Sequence, residues 1–345
     1  MNRFAWLMRR ELWEHRAIWA APAIVLALLL LGSVTGNVFM GDIHINADIG
    51  QDGAAGGQGA LSDEDIAELE SIRGVEDLHK LERLEKLDKA PGEKFNSVPA
   101  GEAFSMLPPE KRESVVAVIY ALVTAVMFLV LGSIGFFYSL DALYSDRRDR
   151  SILFWKSLPL SDAETVLAKF CMAAAAIPVI AAAASIVGQL VLATGVSLKF
   201  ALTGGEAGLL WAPQVLAASS LASLVLALVC ALWFAPLVAY LLLASSWAPK
   251  SPFLWAVLPP IAAVMLEKIA FGTKHFSEFM QHRMMAPFET MFRDQNPGDT
   301  PVAAMDVVSN LLQLFTSPGM LLGLVAAAAL LAGAIWLRRY RDETT

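Results

Sequence analysis

Six apolar runs dominate the chain, at roughly residues 17–36, 115–139, 165–194, 213–244, 252–271 and 318–337. A helix of about 20 apolar residues crosses the hydrocarbon core of a bilayer. In lipid each backbone N–H and C=O must find its partner within the segment, so runs of this kind are helices. Composition agrees: 56% of the 345 residues are hydrophobic and only 17% are charged, outside the habits of a soluble globular domain. The sequence therefore predicts an all-α integral membrane protein with six transmembrane helices. Its two cysteines, Cys171 and Cys230, both fall inside apolar runs, which excludes a disulfide framework.

The net charge of -7 conceals a segregation. Acidic residues crowd the stretch from about 42 to 113, whereas arginines gather in short loops and flanks. Arg3, Arg9, Arg10 and Arg16 precede the first run, and Arg147, Arg148, Arg150 and Lys156 lie between the second and third. Lys250 follows the fourth run, and Arg338, Arg339 and Arg341 follow the sixth. With six spans these all fall on one side, which the positive-inside rule makes cytoplasmic. The expected placement is multi-pass in a plasma (bacterial inner) membrane with both termini in the cytoplasm. A nucleic-acid partner would need a basic stripe, and there is none.

Residues 1–16 predict a helix lying in the membrane interface. Phe4, Leu7, Met8, Leu12 and Trp19 fall near one helical face, with Arg9, Arg10, Glu14 and Arg16 largely elsewhere. Ordinary positive-inside anchoring is the competing reading of the same residues. The first run ends in the small residues of "LLLLGSVTG", as a signal peptide does, but it is long for one and follows Glu11 and Glu14.

Two outer segments are expected. Residues 37–114 begin glycine-rich and then read as an acidic helical insertion: Ser62 and Asp65 resemble a capping start, and leucines recur at helical spacing until Pro91-Gly92. Residues 272–317 carry Phe276, Phe279, Met280, Met284, Phe288, Met291 and Phe292 at steps of three and four, and Thr300-Pro301 opens a second short helix. These are read as amphipathic helices at the outer leaflet, packing against neighbouring spans.

Catalytic chemistry is missing from the sequence. It has no G-x-x-x-x-G-K-[ST] phosphate loop, no H-E-x-x-H, no G-x-S-x-G and no Cys/His cluster with metal spacing. Intramembrane charges mark functional sites because each costs about 2.5–3.5 kcal/mol at a helix centre, and the spans read as nearly free of them. Glu267 and Lys268 fall near an interface, and Gln189, Tyr120 and Thr124 are milder polar points. Pro259-Pro260 predicts a kink in the fifth helix. Gly319 and Gly323 have the G-x-x-x-G spacing of close helix contact. These four are the candidate gating or packing residues.

The loop 140–164 is the most informative segment. In "YSDRRDRSILFWKSLPLSD" the charged lead-in gives way to Ile152, Leu153, Phe154 and Trp155, with Ser151 placed to cap a short helix and Pro159 to end it. Aromatic residues that fill a desolvated pocket dominate protein interfaces. Insertion into the membrane interface is the alternative.

The order of charged residues, hydroxyl, aliphatic pair, further apolar residues, Pro159 and Ser161 resembles the cytosolic loop of type-2 ABC exporter permeases (the ABC-2 family). Ser151, Ile152, Pro159 and Ser161 match that pattern, and Arg150 stands where the family usually has glycine. "RRELWEHR" resembles the family's interfacial elbow helix, and the order of parts resembles it over nearly the whole chain. The resemblance implies a transport subunit rather than an enzyme, paired with a second permease copy or homologue and with two cytosolic ABC ATPase subunits that hold the ATP and Mg2+. Arg147, Arg148 and Arg150 to Pro159 would dock on the ATPase, assisted by Arg9, Arg10, Glu11 and Glu14. The chain itself would carry no cofactor. An amphipathic or hydrophobic cargo suits the apolar spans. The alternative is a membrane scaffold or sensor that recruits a cytosolic partner without transport.

Overall fold

A computed structural model describes residues 3–35, 109–149, 161–203, 208, 210–292 and 304–340. The chain divides into two units, Met1–Phe39 with Phe104–Thr345, and Met40–Ala103. All described residues belong to the first. Most of the expected outer insertion, the residues around Thr300-Pro301, and the loop from Arg150 through Ser151, Ile152, Leu153, Phe154, Trp155 and Pro159 lie outside the described residues.

Among the described residues there are helices and no strands. The helices are α1 (Arg3–Glu14), α2 (Ala17–Thr35), α3 (Pro109–Arg148), α4 (Asp162–Cys171), α5 (Ile177–Thr203), α6 (Pro213–Trp233), α7 (Ala235–Trp247), α8 (Pro252–Phe271), α9 (His275–Phe292), α10 (Ala304–Gln313) and α11 (Pro318–Tyr340). Six helical stretches are long and apolar enough to cross a bilayer. The molecule thus has the make-up of a multi-pass membrane protein. Contacts between α7 and α11, and those of α5 with α2, α3 and α6, form the centre of the bundle, whereas α8 lies at its edge against α7, α3 and α9. The core between them holds Met127, Leu131, Met172, Leu226, Trp233 and Leu242.

Local chemistry explains where these helices start, bend and break. Ser161 accepts from the Glu164 N–H at 3.1 Å and its own N–H reaches the Glu164 carboxylate at 2.8 Å, a capping box that starts α4. With Ser161 as the cap, Asp162 in the first turn is left to pair elsewhere. A π-helical turn, Met172–Ala176, joins α4 to α5. The fourth span breaks at Phe234, because Pro236 in the first turn of α7 has no N–H to carry the ladder across. The 40 residues of α3 form one unbroken helix, about 60 Å long at 1.5 Å per residue. It continues past the expected end at 139 because Tyr144, Asp146 and Arg147 find partners on neighbouring helices.

Close approach has a specific requirement at one crossing. A Cβ on Gly195 of α5 would collide with the Ser33 side chain of α2, so glycine is what allows these two helices to touch there. Deeper in the bundle, the polar points scattered over three spans converge. Gln189 Nε2 donates to Thr124 Oγ1 at 3.1 Å, Thr124 Oγ1 lies 3.2 Å from Ser223 Oγ, and Ser220 Oγ donates back to Gln189 Oε1 at 3.4 Å. Each polar group is thereby satisfied away from water.

The prolines of α8 do not interrupt it: the helix runs from Pro252 to Phe271 with Pro259 and Pro260 inside. Pro260 lacks the N–H that would bond the Ala256 carbonyl four residues earlier. The Tyr240 hydroxyl of α7 takes that place and donates to the Ala256 oxygen at 2.9 Å. Tyr240→Phe leaves the carbonyl unsatisfied in an apolar setting and should lower stability by about 1–3 kcal/mol, read as a drop in the unfolding midpoint in detergent. An unchanged midpoint would mean that another donor serves Ala256.

Candidate functional site at the charged end of the bundle

The last three turns of α3 collect more polar contacts than any other segment described. Asp146 is buried at 7% exposure, as are Lys169 of α4 at 5%, Arg338 of α11 at 6% and Glu11 of α1 at 3%. Lys169 Nζ lies 3.3 Å from Glu11 Oε1 and 3.5 Å from Asp146 Oδ1, and donates to the Ala142 carbonyl at 2.6 Å. Arg338 Nη1 meets Asp146 Oδ2 at 3.0 Å, and its Nε meets Asp162 Oδ1 at 3.2 Å. Tyr138 completes the set by donating to Glu11 Oε2 at 2.9 Å. The His15 ring stacks edge-on against Tyr138, with centroids 4.6 Å apart.

Three carboxylates therefore face two cations across four helices. Taking such charges out of water costs several kcal/mol per ion, and the cost is offset only when each is paired and hydrogen-bonded, as these are. The network consequently fixes α1, α3, α4 and α11 to one another at a single level. Lys169 is a charge within the third apolar run that the sequence reading did not single out. It sits seven residues into its helix, about 10 Å from the start, and is tolerated because Glu11 and Asp146 converge on it.

The same stretch of α3 grips the fourth and fifth spans. Ser245 Oγ of α7 accepts from the N–H groups of Leu143 and Tyr144 at 3.1 and 3.0 Å. Arg147 Nη2 donates to the carbonyls of Ser245 and Ala248 at 2.7 and 2.9 Å, a cation on the C-terminal end of α7 where the helix dipole favours it. The Tyr144 hydroxyl donates to the Lys250 carbonyl at 2.7 Å, in the link between α7 and α8. Within eleven residues, Tyr138–Arg148, α3 contacts α1, α4, α7, the α7–α8 link and α11.

The sequence-based candidates fall in different places. Arg147 belongs to this hub. Arg148 is exposed and bonds Asp149 at 3.1 Å. Arg9 is exposed, and Arg10 and Glu14 form an exposed pair at 2.8 Å one turn apart. Glu11, expected to assist docking from the surface, is turned into the bundle, so any part it has in docking is indirect. On α1 the inward face is Leu7 and Glu11, with Phe4, Trp6 and Trp13 exposed. Pro259 is exposed and Pro260 half-buried within α8. Gly319 and Gly323 meet the Arg283 side chain instead of a neighbouring backbone. Lys169, Asp146, Tyr138 and Asp162 were missed. Their signal was faint: Lys169 stands alone in an apolar run, and Glu11 lies one helical turn from both Leu7 and His15.

Chemically the arrangement is a clamp. Among the described residues no group of three or more His, Cys, Asp or Glu side chains converges as a metal centre would require. No protein-family model, curated protein or solved structure matches the chain.

Lys169→Met removes the cation shared by Glu11 and Asp146 and should destabilise the protein by about 3–5 kcal/mol. Adding Glu11→Gln removes one of the stranded carboxylates and should recover part of that loss. Thermal unfolding of both variants in detergent measures it; equal losses in the single and double variants would mean that the two side chains are not coupled.

Proposed function

We propose that this chain is the transmembrane subunit of an ATP-driven exporter of the ABC-2 kind, driven by ATPase subunits on separate cytosolic chains. The observation that carries the reading is the hub at the end of α3. The loop 150–160, whose sequence resembles an ATPase-docking helix, begins within two residues of Arg148. A displacement applied to that loop enters the bundle at the segment bonded to α1, α4, α7, the α7–α8 link and α11. Packed cores pass such shifts on as rigid-body movements, because their packing is not continuously deformable.

In this reading the charged end faces the cytoplasm of a bacterial inner membrane, and two permease chains assemble with two ATPases. Arg150, Ser151, Ile152, Leu153, Phe154, Trp155 and Pro159 form the docking contact, with Arg147 rooting it in the bundle. The buried pairs of Lys169 and Arg338 hold the elbow helix and three spans in one body, so closure of the ATPase dimer moves them together. The cargo is amphipathic or hydrophobic.

Affinity purification of the tagged protein in mild detergent, followed by mass spectrometry, tests the proposal. A phosphate-loop ATPase should co-purify in near-stoichiometric amount. Trp155→Asp places a charge in the docking contact and should release that ATPase at an unchanged unfolding midpoint. Recovery of a partner without a nucleotide site would move the assignment to a scaffold or sensor.

A further inference from the structure

One cation at the other end of the bundle is held in a different way. Arg283 of α9 is buried at 9% exposure. Its guanidinium lies over the indole of Trp233, 4.4 Å from Cζ to the ring centroid, and Nη1 donates to the Gly319 carbonyl at 2.9 Å. Trp233 Nε1 in turn donates to the Arg283 carbonyl at 2.8 Å, which fixes the backbone of α9 against α6. Among the described residues no carboxylate pairs with Arg283, and its buried Nη2 has no hydrogen-bond partner.

Gly323 creates the space, and Gly319 contributes its carbonyl. A Cβ at Gly323 would collide with Nη2, so the first two turns of α11 carry a notch shaped to a guanidinium head. The contrast with the other buried cations is instructive, because Lys169 and Arg338 each meet two carboxylates. An unsatisfied buried charged donor is costly. Burial pulls the Arg283 guanidinium below its ordinary pKa, the direction expected of a cation short of partners.

Depth and surroundings indicate what would complete it. Gly323 is fifteen residues from Arg338, about 22 Å along the helix, in a hydrocarbon layer about 30 Å thick. With Arg338 at the near face of that layer, the arginine head lies in its far third, from which a long side chain reaches the headgroups. Phe279, one turn before Arg283 on α9, is 57% exposed, and Leu322, adjoining the notch on α11, is also exposed. An apolar wall thus runs beside an incompletely bonded guanidinium, and arginine binds phosphate and carboxylate through paired N–H groups.

We propose that Arg283 is the anchor for an amphiphile with an acidic oxyanion head, a phosphate or a carboxylate, whose apolar chains lie along Phe279 and Leu322. The head leaves the Gly323 notch to meet the oxyanion and returns to it when the site is empty. The site needs only the membrane and this chain, so it stands independently of the exporter reading.

The test uses the full-length protein in neutral detergent, titrated with dioleoyl phosphatidylglycerol or dioleoyl phosphatidylcholine, with retained lipid read by native mass spectrometry. Phosphatidylglycerol should be retained about tenfold better than phosphatidylcholine, equivalent to about 1.4 kcal/mol. Arg283→Gln should abolish that preference, and Arg16→Gln, an exposed arginine at the opposite end, should keep it. Gly323→Ala expels the head from its notch without removing its charge, so the preference should persist or grow. No preference in the wild type, an unchanged preference in Arg283→Gln, or its loss in Gly323→Ala would each overturn the proposal. Competition by inorganic phosphate would support the oxyanion anchor and extend its ligands to the free ion; no competition would support an anchor that also requires the chains.

Discussion

Lys169 is a cation inside an apolar helix, and the architecture around it follows from the need to neutralise it. In a low-dielectric interior a charge is stable only beside an opposite charge with its remaining donors occupied. Glu11 supplies one such partner from α1, Asp146 another from α3, and the Ala142 carbonyl accepts a further N–H. Asp146 is in turn shared with Arg338, and Arg338 with Asp162. Each member depends on the next, so the network binds four helices as a set. These bonds are directional, so they add a fixed register to the apolar packing between the same helices.

The two ends of the bundle consequently have different characters. At one end every buried cation is paired and α3 is tied to most of its neighbours. At the other a guanidinium sits on an indole with one donor unused, and the helices beside it, α9 and α10, rest on α6 largely through apolar contacts. A small cavity of about 20 Å³, lined by Ala117, Ala121, Thr124, Ser219, Ala222, Met291 and Val307, lies between those helices and the spans. That is room for about one water molecule. One end is thus held by directional charge pairs and the other mainly by apolar packing.

Much of the architecture was legible in the sequence because lipid imposes a length and an apolar composition on any helix that crosses it. The six runs, the arginine-rich flanks and the polar trio of Gln189, Thr124 and Tyr120 were all visible. What the sequence concealed was tertiary. Asp146 and Arg338 read as ordinary flanking charges, and nothing local shows that α3 and α11 end at the same level and face each other. Glu11 read only as one of the elbow helix's charges, because the helix around it has two faces rich in large residues, and packing reveals which one turns inward. Gly319 and Gly323 read as a helix contact, whereas the group that crowds Gly323 is the Arg283 side chain. Pro260 announced a missing N–H without naming Tyr240 as the hydroxyl that replaces it.

The unbroken length of α3 has a mechanical meaning. Its partners on either side are interrupted, the third span by the π turn at Met172–Ala176 and the fourth at Phe234. Those breaks let their halves bend separately, whereas α3 can only pivot whole. Measured from Asp146, about 55 Å of helix extends toward Pro109 at 1.5 Å per residue. A pivot of about 5° at the clamp would then swing the distant tip by about 5 Å over that length. In the exporter reading the body held by those five charges would swing as one, and a small stroke at its short end would become travel on the scale of a side chain at the long one.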